Sequence, residues 1–136
     1  KVKCGVDIIE VSRIEDAIEN LEDKFLNRVY TEKEIEYCSS KNNMKYQHFA
    51  ARFAAKEAIF KAISNMLKDK YEITWKDVEI LKDENGRPYV HFLNNKAGRP
   101  YVSFINCDME EKIENIDISL SHIKEYAIAN CVVVFK

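Results

Sequence analysis

Arg52-Phe-Ala-Ala-Lys-Glu-Ala-Ile-Phe-Lys61 is the stretch on which the reading of this chain turns. It lies in a run from Phe49 to Met66 that is rich in Ala and free of Gly and Pro, and such a run predicts a helix. On that helix Phe53, Glu57 and Lys61 share one stripe at four-residue spacing, with Arg52 and Lys56 on a second stripe beside it. A carboxylate and several cations would then stand on rigid backbone, a support suited to holding a metal ion against a phosphate. The same spacing fits a surface ion pair between Glu57 and Lys61, worth a few tenths of a kcal/mol. The helix alone leaves both readings open.

Upstream, Val2 to Val11 reads as an apolar, β-branched strand with Asp7 set inside it. Ser12 and Glu15 have capping-box spacing for a helix from Arg13, whose apolar face would carry Ile14, Ala17, Ile18 and Leu21. Thr31 and Glu34 form a second box, opening a short helix through Tyr37, and Ser39 to Asn43 reads as a loop. Downstream of Met66, the residues Thr74 to Leu81 bend into a strand, Val78 to Leu81. Asp83-Glu-Asn-Gly86 is a hairpin turn and Pro88 to Leu93 the return strand. Ile116 to Leu120 alternates as a strand should. Tyr126 to Phe135 is nearly continuously apolar, as in the middle of a sheet.

The chain has 136 residues, 46% hydrophobic and 32% charged, which suits one domain spanning 1–136 with a packed core. No apolar run approaches the roughly 18 residues of a membrane span. The opening Lys1-Val2-Lys3 leads directly into a strand with no secretory h-region, so a cytoplasmic chain is expected. A net charge of −2 gives no bulk attraction to nucleic acid. Cys4, Cys38, Cys107 and Cys131 are scattered without a CxxC pair and read as free thiols. Gly86-Arg-Pro-Tyr-Val-His-Phe recurs as Gly98-Arg-Pro-Tyr-Val-Ser-Phe, a short duplication expected to add a strand.

Asp7 is the first chemical candidate, because a carboxylate within an apolar strand is rarely left unpaired. It is either a structural partner for a cation or a ligand. Together with Glu57 it offers the one or two carboxylates that commonly hold Mg²⁺ against substrate phosphates. Lys56 and Lys61 stand alongside on the helix. Ser121 and His122 are adjacent, so on a strand they face opposite sides, and no GxSxG elbow surrounds them. His122 instead suits a phosphate contact or a turn cap. His48 and His91 read as surface or packing residues. HExxH, Walker and Gly-rich dinucleotide motifs are absent from a chain with three Gly.

Four segments, in order, resemble the holo-acyl-carrier-protein synthases, the small bacterial 4′-phosphopantetheinyl transferases. They are Gly5-Val-Asp-Ile-Ile-Glu-Val-Ser-Arg-Ile14, the helix signature Arg52 to Ala62, the hairpin Asp77 to Val90, and Ile118-Ser-Leu-Ser-His-Ile-Lys-Glu-Tyr-Ala127. The resemblance implies an α+β fold, an antiparallel sheet packed against a long central helix, and a homotrimer with active sites between protomers. It implies transfer of 4′-phosphopantetheine from coenzyme A to a serine of apo-acyl carrier protein, releasing adenosine 3′,5′-bisphosphate. Asp7 and Glu57 would hold Mg²⁺, and Lys61 would neutralise the diphosphate; the residues themselves point to Glu57, acting directly or through a metal-bound water, as the base. Arg52 and His122 would reach CoA phosphates.

The carrier would dock through Arg13, Lys24 and Arg28 with Phe25 as apolar anchor, although Glu19, Glu22 and Asp23 intrude on that basic surface. Two departures from the family stand out. Ile63 to Lys70 lacks the usual Gly, so the helix could run longer, and Lys96 to Asn115 is longer than in relatives. The alternative function is a module that binds coenzyme A or an acyl carrier protein without turnover.

Overall fold

The computed structural model describes residues 1–67, 73–93 and 113–136, together with the backbone of 103–104 and 107–108. Strand β1 (Val2–Glu10) leads into helices α1 (Val11–Leu21), α2 (Asp23–Val29), α3 (Glu32–Ser39) and α4 (Lys45–Ile63). Strands β2 (Val78–Lys82) and β3 (Pro88–Phe92) form a hairpin, and the two-residue strands β4 (Ser103–Phe104) and β5 (Cys107–Asp108) pair with each other. Strands β6 (Ile113–His122) and β7 (Tyr126–Phe135) complete the chain. The main sheet is antiparallel with the order β1-β7-β6, so the most apolar strand is the middle one. This is an α+β architecture.

Strand periodicity divides the sheet into two faces. Gly5, Asp7 and Ile9 of β1 share the inner face with Ala127, Ala129, Cys131 and Val133 of β7, against which α4 packs. The helix meets the sheet through small residues, with Ala54, Ala55, Ala58 and Ala62 all buried. At Gly5 the approach is closest. A methyl group there would stand 2.0 Å from the Ala58 carbonyl oxygen and 2.9 Å from the Ala62 nitrogen. One core lies between the C-terminal half of α4, the sheet and the β2–β3 hairpin. A second lies between the N-terminal half of α4 and α1 to α3, and Ile9 and Leu120 pack against both.

Local signals were obeyed where they were strongest. Thr31 and Glu34 form the reciprocal capping box at the start of α3, which runs two residues beyond Tyr37. The Asp83 carboxylate accepts from the backbone N–H groups of Asn85 and Arg87, and Gly86 takes the positive φ of 79°. Helix α1 departs from expectation. It starts at Val11, its N-cap Glu10 makes no side-chain bond, and the Ser12–Glu15 box does not form. A tertiary contact caps it instead, because the Val11 N–H donates to the Glu125 carbonyl at 2.8 Å. Leu21 lies exposed beside Glu22, whose φ of 49° separates α1 from α2.

Helix α4 begins at Lys45, earlier than its apolar pattern indicates. Beyond Ile63 it tightens into a 3₁₀ turn, Ser64–Met66, with Ser64 Oγ donating to the Lys61 carbonyl. Of the Gly-free stretch after it, residues 68–70 lie outside the described residues. So does most of the long 96–115 segment, including all of the second Gly-Arg-Pro-Tyr-Val copy.

Gly5→Ala should lower the unfolding free energy by at least about 1–3 kcal/mol, the usual cost of overpacking, because the blocking atoms are backbone. Urea denaturation would measure it, and an unchanged midpoint would contradict the packing described.

Candidate active site

The two stripes of α4 meet different surroundings. Lys56 faces inward and is completely buried, where its ammonium donates to Glu34 Oε1 at 2.7 Å, the Val29 carbonyl at 2.7 Å and the Trp75 carbonyl at 2.9 Å. Burial pushes the Lys56 pKa down, and the Glu34 carboxylate opposes that shift. Glu34 in turn accepts from the backbone N–H groups of Thr31 and Ile80, both at 2.8 Å. Every donor of the ammonium is thus used in joining α2, α3, α4 and β2. Sequence spacing set Lys56 beside Lys61 as a phosphate partner; its burial makes it part of the scaffold instead.

The other stripe borders a cleft of about 390 Å³ lined by Asp7, Ile8, Ile9, Glu10, Arg13, Phe53, Glu57 and Tyr126. Asp7 comes from β1 and Glu57 from α4, and the close packing at Gly5 brings these elements together. Lys61 does not pair with Glu57. It reaches across to β1, donating to the Val6 carbonyl at 2.9 Å and to Asp7 Oδ1 at 3.2 Å. Glu57 Oε1 accepts from the Trp75 indole N–H at 3.1 Å. Asp7 therefore has a cation partner, and the two carboxylates share one cleft.

Arg52 and His122 belong to another cluster. Arg52 is 1% exposed, its guanidinium stacks over Tyr37 at 4.2 Å, and its Nε has no hydrogen-bond partner among the described residues. Lys41 and Lys82 also approach the Tyr37 ring. Desolvation raises the Tyr37 phenol, but the Lys82 hydrogen bond and the charges of Lys82, Arg52 and Lys41 together outweigh it, so its pKa falls. His122 Nδ1 lies 2.8 Å from Gln47 Oε1, and its ring packs on that of His48. Desolvation and then the charges of Lys82 and Arg52 lower the His122 pKa. His48, desolvated and beside His122 and the same cations, is pushed down to about 4. The cluster is an excess of positive charge with no carboxylate in it among these groups.

The α1–α2 surface presents Arg13, Lys24 and Arg28 to solvent, with Arg13 3.5 Å from Glu10. Phe25 is half-buried, stacked on Phe53 and edge-on to Tyr30, so its ring is largely committed to the second core. Arg28 lies over the Trp75 ring at 5.8 Å.

Residues 3–131 match the sequence model of the 4′-phosphopantetheinyl transferase superfamily. The chain belongs to that superfamily. Among its relatives, the holo-[acyl-carrier-protein] synthase of Ruminiclostridium cellulolyticum is 46% identical over 95% of this chain and 89% of its own length. The holo-[acyl-carrier-protein] synthase of Halothermothrix orenii is 41% identical over 92% and 90%. The holo-(acyl-carrier-protein) synthase of Bacillus anthracis, solved in complex with CoA (3′,5′-ADP), superposes with a TM-score of 0.70 at 31% identity, covering 96% of this chain and 94% of that one. The Helicobacter pylori holo-[acyl-carrier-protein] synthase, solved with coenzyme A, gives 0.72 at 29% identity over 98% and 99%.

Several neighbours of the superfamily signature were not legible in advance. Trp75 reaches Glu57 from 18 residues away, and Tyr37, Lys41, Gln47 and Lys82 join Arg52 and His122 only through folding. The two helix lysines should respond oppositely to substitution. Lys56→Met strands the buried Glu34 carboxylate and should cost about 3–5 kcal/mol of stability. Lys61→Met removes a partly exposed pair worth about 0–1 kcal/mol, leaving the fold intact. Thermal unfolding of both variants checks this, and equal melting temperatures would refute it.

Proposed function

We infer that this chain transfers 4′-phosphopantetheine from coenzyme A to a serine hydroxyl of an apo-acyl carrier protein. The supporting observation is one cleft holding Asp7 and Glu57, with Lys61 tied to Asp7, in a chain whose relatives are holo-[acyl-carrier-protein] synthases. Two carboxylates on one cleft suit Mg²⁺, whose remaining positions are commonly filled by substrate phosphate oxygens and water. Asp7 and Glu57 would hold the ion, and when bound there it supplies positive charge to the diphosphate.

The reaction forms a bond from the serine oxygen to the phosphorus nearer the pantetheine and breaks the bond from that phosphorus to the oxygen of adenosine 3′,5′-bisphosphate. Lys61, fixed between the Val6 carbonyl and Asp7, places positive charge where negative charge grows on the leaving group. Glu57 accepts the serine proton. Phe53 supplies an apolar wall to the same cleft. Arg52 and His122, reinforced by Lys41 and Lys82, take another CoA phosphate, the 3′-phosphate. His122 has its pKa lowered by desolvation and neighbouring cations, so an arriving phosphate offsets that repulsion and favours the imidazolium.

The protein works as a homotrimer with its sites between protomers. On the outer sheet face Val6 and Ile8 of β1 and Ile128 and Val132 of β7 are 53%, 61%, 41% and 42% exposed in one protomer. These exposed apolar side chains, interrupted on β7 by Asn130, suit an interface. His122 and Arg52 stand outside the lining of the Asp7–Glu57 cleft, so a CoA spanning two protomers would use one cleft and a neighbour's cluster. Residues 1–136 act as one phosphopantetheinyl transferase domain, working in the cytosol. No described helix is long and apolar enough to cross a membrane. An acidic carrier docks on Arg13, Lys24 and Arg28, and Phe25 lends the edge of its half-buried ring.

Incubation with coenzyme A, Mg²⁺ and an apo-carrier should add one phosphopantetheine mass to the carrier. Asp7→Ala and Glu57→Ala should each abolish the gain, and Glu57→Gln should lose most of the turnover. Coenzyme A bound without any mass gain would identify a non-catalytic binding module instead. In light scattering, Ile8→Glu should dissociate the trimer; a wild type that elutes as a monomer would refute the assembly.

A further inference from the structure

The Lys56-Glu57 pair at the heart of the α4 signature points in two directions, yet one residue touches both members. The Trp75 carbonyl accepts from the buried Lys56 ammonium at 2.9 Å, and the Trp75 indole N–H donates to Glu57 Oε1 at 3.1 Å. Three further contacts restrict the indole. Phe53 packs on it with ring centroids 6.0 Å apart, and the Arg28 guanidinium covers it at 5.8 Å. Its backbone stands at the start of a 3₁₀ turn, Trp75–Asp77, closed by a Thr74–Asp77 capping box. A half-buried ring packed by Phe53 and Arg28, on a backbone held by a capping box, has little rotational freedom, so its N–H is a directed donor.

We propose that Trp75 is a positioning residue for Glu57, holding one carboxylate oxygen so that the other serves the cleft ligand. The physical reason lies in the side chain itself. A glutamate on a helix has three rotatable bonds, and its neighbour Lys61 has turned away to Asp7. Without a second partner the Glu57 carboxylate would sample several rotamers over the cleft. Lys56 anchors the donor, Trp75 carries the constraint outward, and Glu57 receives it. The buried ion pair thereby gains a function beyond cohesion. Outer partners that orient metal-holding side chains typically contribute about 10–100-fold to affinity or activity.

The inference rests on Glu57 being a metal-holding carboxylate of the transferase site, and its test separates the two. Trp75→Phe keeps an aromatic ring against Phe53 and Arg28 and removes the N–H. Mn²⁺ affinity, measured by electron paramagnetic resonance with coenzyme A present, should weaken about tenfold in this variant. Its kcat should fall while KM for the carrier stays unchanged. Trp75 is the single tryptophan of the chain, so the wild type carries its own reporter. Paramagnetic Mn²⁺ should quench its emission saturably, excess Mg²⁺ should restore it, and Glu57→Ala should abolish the effect. Wild-type Mn²⁺ affinity in Trp75→Phe, or emission blind to Mn²⁺ bound by the wild type, would overturn the role of Trp75. A wild type that binds Mn²⁺ but modifies no carrier would overturn the transferase reading, and the affinity difference would still support the positioning role.

Discussion

The contact of helix α4 with strand β1 at Gly5 is the constraint on which the rest of the molecule depends. The helix backbone comes so close that position 5 has no room for a side chain, with the Ala58 carbonyl where a Cβ would be. Alanines along the facing side of α4 allow the same closeness over several turns. Interiors pack as densely as organic crystals, so such a seam sets the helix position within a fraction of an ångström. Asp7 lies two residues after Gly5, and Glu57 and Lys61 flank Ala58. The seam therefore decides that Lys61 can span to Asp7 and that two carboxylates from distant sequence share one cleft.

A second constraint is polar. Taking the Lys56 ammonium and Glu34 carboxylate out of water is expensive, and the attraction between them offsets that cost only when remaining donors and acceptors are also satisfied. Here they are, through the Val29 and Trp75 carbonyls and the Thr31 and Ile80 amides. An apolar core tolerates small slides. A network with this many directional bonds does not, and it pins the ends of α2 and α3, the turn at Trp75 and the start of the β2–β3 hairpin to one point on α4. The apolar seam and the polar junction together fix the elements that line the cleft.

Much of the chemistry was legible in the helix signature and the strand that opens the chain. Four-residue spacing put Glu57 and Lys61 on one stripe, and an acidic residue inside an apolar strand marked Asp7. Folding altered the partners. Lys56 and Lys61 are the same residue type on the same helix, and spacing assigned both to phosphate. Only the packing of α3 and β2 over one stripe made Lys56 structural. Likewise the Glu57–Lys61 pair that helix geometry permits gives way to Lys61–Asp7 and Glu57–Trp75, because partners from other elements offer better-directed bonds than two side chains of one helix.

By itself the sequence determined the superfamily, the hairpin turn at Gly86 and the capping box at Thr31, because these depend on periodicity and on backbone geometry within a few residues, whereas helix α2 was not read from it. The tertiary structure alone decided where α1 is capped, since Glu125 supplies the carbonyl from the other end of the chain and Ser12 goes unused. It decided that Arg52 lies under Tyr37 among Lys41, Lys82 and His122, and that Trp75 stands against Glu57. Such outcomes depend on which surfaces face each other once helix and sheet have packed, and that information is distributed over the whole core rather than written at any one position.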